Sequence, residues 1–209
     1  MYGLPENTSI NQQLPKKSIY EKFSLKTSER DRFDADVSRM AIVERVSSQT
    51  LPALSAGQEI DGFYVVQVQL KRKDYSEQNI IMLTKLIPQR MIFALHFEDE
   101  VQFVVYHTRL QKSDWFSVQS AVIHITGLNL DTVWQNLVAD IGAVIVEEGA
   151  SLEQSIIHQE QREKILRQIV NLEKRCRSEK QTRKKYELHQ QIVKLKTQIQ
   201  KFYVQFNLE

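Results

Sequence analysis

A chain of 209 residues, 42% apolar and 26% charged, is long enough to bury one moderate core with an appended element and too apolar to be a disordered tail. The formal net charge of +2 hides an asymmetry, because residues 1–150 hold 15 Lys or Arg against 19 Asp or Glu while residues 151–209 hold 13 against 7. No run of about 18 apolar residues exists, which excludes a membrane-spanning helix, and the single cysteine excludes an internal disulfide and any cysteine-built zinc cluster.

The first 20 residues are polar, and Lys16 and Lys17 follow rather than precede any apolar block. Neither a secretory signal nor a transit peptide is expected there, and the expected location is cytoplasmic. Prolines at Leu4-Pro5 and Leu14-Pro15 hold the preceding residues extended, so residues 1–25 read as loop with a short helix over 16–23. Ser28 with Asp31 three residues on has capping-box spacing and predicts a second helix to about Asp36. Residues 40–46 read as a strand and 51–57, with Pro52 and Gly57, as a connection.

The middle of the chain carries the clearest β pattern. Residues 63–70 alternate, with Tyr64, Val66, Val68 and Leu70 on one face and Val65, Gln67 and Gln69 on the other. Ser76 caps a predicted helix to about Leu86, with Ile80, Leu83 and Ile87 at helical spacing and Pro88 ending it. Residues 91–97 and 101–110 are two β-branched runs around Glu98, Asp99 and Glu100, the pattern of a hairpin. Residues 116–125 alternate again, and Asn129 or Asp131 caps a helix through Val133, Leu137 and Ile141. This order predicts an α+β head over residues 1–149, a mainly antiparallel sheet with flanking helices.

Residues 151–209 contain neither glycine nor proline and are rich in helix formers, so a C-terminal helical arm over residues 150–209 is expected. Ile165, Ile169, Leu172 and Cys176 form one heptad seam, and Leu188, Ile192, Leu195, Ile199, Phe202 and Phe206 form a second. The two are out of register: continuing the first frame lands on Glu179, Arg183, Tyr186 and Gln190. Either one helix of about 55 residues, about 80 Å long, changes face, or the chain folds back near 177–182 into an antiparallel hairpin. The missing Gly and Pro favour continuity, whereas the lost seam and Ser178, Gln181 and Thr182 favour the turn.

Two surfaces follow from this arm. Seam residues Ile165, Ile169, Leu172, Leu188, Ile192, Leu195, Ile199 and Phe202 are the candidate partner-binding positions, for another protein or a second copy of the chain. Lys174, Arg175, Arg177, Lys180, Arg183, Lys184 and Lys185, with Glu179 the one acid among them, are the candidate nucleic-acid contacts, since such a cluster neutralises phosphates without regard to sequence. A solvated helix face is the plain alternative. Cys176, on the seam, is expected to serve as a small buried apolar side chain.

Catalytic patterns are sparse. Asp61 with Gln69-x-Lys71 loosely resembles the acid and acid-x-Lys arrangement of Mg²⁺-dependent nucleases, yet glutamine stands where a carboxylate ligand is needed. His96 and Glu98 lie two residues apart with no second histidine in reach, which reads as solvation of an edge strand. There is no glycine-rich phosphate loop, Gly-x-Ser-x-Gly or His-Glu-x-x-His. No catalytic residue, metal ligand or cofactor is expected.

Leu4-Pro5, Leu14-Pro15-Lys16, the block from the strand through Pro88 to Tyr106, the tract Gly127-Leu128-Asn129-Leu130-Asp131-Thr132-Val133-Trp134, and Glu179-Lys180-Gln181 leading to Glu187-Leu188 together resemble an uncharacterised bacterial family of small cytoplasmic proteins. The resemblance spans nearly the whole chain. It implies a setting beside DNA methyltransferase and helicase or nuclease genes of restriction-type anti-phage clusters, and hence a larger DNA-modifying or helicase partner. The functional expectation is a non-catalytic accessory subunit of such a complex, docking through its arm and contacting DNA through its basic cluster; the alternative is a divergent Mg²⁺-dependent DNA nuclease.

Overall fold

The structure, a computed structural model, describes residues 1–86, 88–146 and 149–206, the last five of these by backbone alone. The chain divides into two compact units, Met1–Ala143 and Val144–Glu209.

Among the described residues the first unit holds β1 (Ser9–Gln13), α1 (Lys16–Phe23), α2 (Thr27–Asp36), β2 (Val37–Ser47), β3 (Gly62–Leu70), α3 (Glu77–Leu83), β4 (Arg90–Phe97), β5 (Glu100–Tyr106), β6 (Leu110–Lys112), β7 (Phe116–Ser117) and α4 (Leu130–Gly142). The seven strands form one open sheet in the order β1-β2-β3-β4-β5-β6, with β7 also on β5. Every pairing is antiparallel except that of β3 with β4. A parallel neighbour demands a long crossover, and the segment carrying α3 supplies it. The unit is the α+β, mainly antiparallel fold that the sequence predicts.

Alternation in β3 sets the layers. Val66, Val68 and Leu70 join Met40, Phe93 and Leu95 in a buried cluster that α1, α2 and α3 complete with Ile19, Phe33, Ile80 and Leu83. Each of these large side chains contributes about 1.5–3 kcal/mol by leaving water. Phe63, of opposite parity on β3, meets Trp134 of α4 with ring centroids 5.7 Å apart. Tyr2 packs edge-on against Phe103 at 5.4 Å.

Several boundaries depart from the sequence reading. Residues 9–13, read as loop, form β1: this edge strand has a polar composition, with Ile10 alone packing on the core, so no apolar alternation announces it. Residues 116–125 are strand only at Phe116–Ser117, after which a 3-10 turn follows; Val122 is exposed and Ile123 donates its N–H to the Tyr2 carbonyl at 2.9 Å. The start of α2 is closed by Glu29 alone instead of by Ser28 with Asp31, the Lys26 N–H donating to the Glu29 carboxylate at 2.9 Å. The third helix stops at Leu83, short of Leu86, and Ile87 lies outside the described residues.

One loop is held by a single carboxylate. Asp131, in the first turn of α4, accepts from the backbone N–H groups of Gln58 at 2.6 Å and Ile60 at 2.9 Å. Gly57 lets it approach, since a Cβ there would meet Asp131 Oδ1 at 2.1 Å.

The second unit holds α5 (Leu152–Ser178) and α6 (Thr182–Phe206). Ser151 and Gln154 form a reciprocal cap at the start of α5, the Gln154 N–H donating to Ser151 Oγ at 3.2 Å and the Ser151 N–H to Gln154 Oε1 at 2.9 Å. Residues 179–181 then reverse the chain, so the two helices run antiparallel and pack together. The two seams fall out of register because they belong to two helices. Glu179 caps α5 in an extended conformation, φ −74° and ψ 127°, which any residue adopts, and its carboxylate accepts from the Gln181 N–H at 2.8 Å. No glycine is needed for such a turn.

Candidate nucleic-acid interface

The reversal at 179–181 gathers the basic cluster. Lys174, Arg175 and Arg177 lie in the closing turns of α5, Lys180 in the connection, and Arg183, Lys184 and Lys185 in the first turns of α6; all seven side chains are exposed. Among the described residues Arg183 alone of the seven has a carboxylate at ion-pair distance, Glu187 at 3.3 Å.

The two helix ends treat these charges differently. A helix C-terminus carries partial negative charge and welcomes Arg175 and Arg177. A helix N-terminus carries partial positive charge, so Arg183, Lys184 and Lys185 sit against the dipole of α6, whose first turn holds no acid. Each such placement forgoes about 0.3–1 kcal/mol relative to a neutral or acidic residue. The field at the tip is accordingly positive. Glu179 is held below the usual carboxylate range by the Gln181 N–H and, further off, by Lys184 and Arg175. Glu173 is held down by its hydrogen bond to Lys196 and by Arg177.

The candidate partner-binding seam is used inside the chain. Ile165, Ile169, Ile192 and Ile199 are buried in one cluster, with Leu172, Leu195 and Cys176 packed on it. Leu188 is half-buried, and the side chain of Phe202 lies outside the described residues. What the hairpin leaves exposed is different: Ile157, Leu166 and Val170 on α5, and Tyr186 and Val193 on α6. Cys176 is half-buried rather than enclosed, and its thiol donates to the Lys185 carbonyl at 3.7 Å.

Glu173 meets Lys196 at 2.7 Å across the two helices. Leu166, Val170 and Glu173 recur at spacings of four and three on α5, and His189, Val193 and Lys196 do so on α6, so each set shares a face; the ion pair puts both faces on one flank of the hairpin. A groove of about 320 Å³ opens on that flank, with Ile192 and Cys176 inside it and Glu173, Arg177, Lys185, His189 and Lys196 around it. Sequence reasoning missed His189 and Lys196. Lys196 follows Glu173 by 23 positions, and only the turn makes them neighbours.

The nuclease-like residues are not brought together. Asp61 precedes β3 and Lys71 follows it, about 30 Å apart at 3.3 Å per residue. Asp61 lines a cleft of about 520 Å³ with Glu59, Thr84 and Arg90, whereas the Lys71 ammonium donates to the Asp34 carbonyl at 2.6 Å. His96 is no edge-strand residue: it is buried on β4 between two neighbours and hydrogen-bonded to the Tyr2 hydroxyl at 2.6 Å. Burial pushes its pKa below the ordinary histidine value. Among the described residues no group of three or more His, Cys, Asp or Glu is placed to hold a metal ion, and no helix is long and apolar enough to cross a membrane.

Residues 2–199 match the family described as Domain of unknown function (DUF4391), and the chain belongs to it. No curated protein and no solved structure matches the chain.

Proposed function

We propose that this member of the family is a non-catalytic accessory subunit of a bacterial DNA restriction-modification or anti-phage defence complex, acting in the cytoplasm. The head is its structural platform, the arm docks on a larger DNA-modifying or helicase partner, and the hairpin tip contacts DNA phosphates. Since the seam is consumed within the hairpin, docking falls to the flank bearing Leu166, Val170 and Val193.

The observation that carries the reading is the tip itself: seven exposed basic residues at one turn, three of them set against a helix dipole. Local stability alone would not select that arrangement, and positions where a sequence breaks a local rule are where function is sought. Phosphates supply the missing counter-charge, and binding releases condensed counterions.

Changing Lys180, Arg183, Lys184 and Lys185 to Glu tests this. At low salt the wild-type chain should bind a labelled duplex in fluorescence anisotropy and the variant should bind at least about tenfold more weakly, with helicity by circular dichroism unchanged. Equal binding by both proteins, or none by the wild type alone or with its co-purified partner, would refute the DNA contact.

A further inference from the structure

The groove between α5 and α6 has a composition that the tip alone does not explain. Arg177 and Lys185 belong both to the basic cluster and to the groove, so the groove begins where the tip ends. His189 and Lys196 extend it along α6. Three Lys or Arg, namely Arg177, Lys185 and Lys196, face one acid, Glu173. Buried Ile192 supplies an apolar wall, and half-buried Cys176 lies beside it.

We infer that this groove is a phosphate-binding site, seating one phosphodiester of the strand whose neighbouring phosphates the tip contacts; this rests on the proposed DNA contact and names where on the arm the backbone is held. Three features fit that ligand. Cations arrive from both helices, so a phosphate between them is met from two sides. An Arg guanidinium presents a planar fork that matches phosphate oxygens. Lys196 is already held by Glu173 at 2.7 Å, so its ordering does not have to be met on binding.

The chain has a single cysteine, and it lies in this groove, so its alkylation by iodoacetamide reports on occupancy. Labelling is measured on the full chain with and without an oligonucleotide at about four times its Kd, which leaves about one site in five open. The wild type should then label about fivefold more slowly with oligonucleotide than without. A variant carrying Lys196→Gln and His189→Gln should still bind oligonucleotide through its intact tip, by anisotropy, and at the same fractional occupancy its Cys176 should be protected clearly less than that of the wild type.

A wild-type chain that binds oligonucleotide while Cys176 labels at an unchanged rate would overturn the groove assignment and leave the tip contact standing. Protection that persists undiminished in the double variant would overturn it as well, because shielding would then come from DNA on the tip. Absence of any oligonucleotide binding refutes the proposed function and the groove's ligand together. Inorganic phosphate at matched phosphate concentration separates the sources: weaker protection than by oligonucleotide supports a strand phosphodiester, and equal protection supports the phosphate site with the free anion as its ligand.

Discussion

Glu173 of α5 and Lys196 of α6 meet at 2.7 Å, although the basic cluster and the turn lie between them in sequence. That contact defines one flank of the arm, on which the groove and the exposed Leu166, Val170 and Val193 all lie. It exists only if the chain reverses at 179–181.

The reversal is open to direct test. Cys176 and His189 line one groove in the hairpin, whereas one continuous helix would hold them about 20 Å apart at 1.5 Å per residue. A His189→Cys variant should therefore be bridged within one chain by a bismaleimide too short to span that distance, giving a single intramolecular adduct by mass spectrometry. Singly reacted cysteines alone would point to the continuous helix.

Truncation should separate seam from flank. Ile169→Ala and Ile192→Ala remove side chains that are 6% and 5% exposed and should each lower arm stability by about 2–4 kcal/mol through lost burial and a residual cavity. Val170→Ala, at 66% exposure, should shift it by less than about 0.5 kcal/mol. Urea unfolding followed by far-ultraviolet circular dichroism gives all three values, and equal effects would deny the inward orientation of the seam.

In the head, Ile92, Leu95, Val104 and Val105 are all fully buried, and Leu95→Ala and Ile92→Ala should cost about 2–5 kcal/mol each. Asp131→Ala should cost about 1–3 kcal/mol by leaving the N–H groups of the Gln58–Ile60 loop without their acceptor. Hydrogen exchange would show faster exchange at residues 58 and 60 in that variant. Unchanged protection there would mean that the carboxylate does not hold the loop.

Acid should weaken the head through His96. Because burial lowers its pKa in the folded chain, the unfolded chain takes up more protons once the pH falls below the ordinary value of about 6.5. The stability associated with neutral His96 is present above that value and is lost as pH falls towards the lower folded pKa. Urea midpoints at pH 7.5 and pH 5 should differ more for the wild type than for His96→Gln, and an equal difference in both would exclude His96 as a source of acid sensitivity.

Period-two alternation made β3 legible, and the β-branched runs around Glu98–Glu100 made the β4–β5 hairpin so, because those strands bury one face or both. Strand β1 was hidden because Ser9, Asn11, Gln12 and Gln13 line an edge, where pairing rather than apolar pattern makes the strand. At the tip, composition disclosed the seven cations and the broken seam disclosed a discontinuity. Seam positions identified what the helices bury, and pairing geometry decided that they bury it against each other. His189 and Lys196 were invisible as site residues because their neighbours come from the other helix.

The salt dependence of DNA binding tests the tip most directly. Plots of log K against log salt concentration should be steep for the wild type, with a slope of about −0.9 per phosphate neutralised on duplex DNA. Reversing Lys180, Arg183, Lys184 and Lys185 to Glu should flatten the slope by about two or more units while the thermal unfolding curve stays in place. Identical slopes for the two folded proteins would contradict phosphate binding at the hairpin tip.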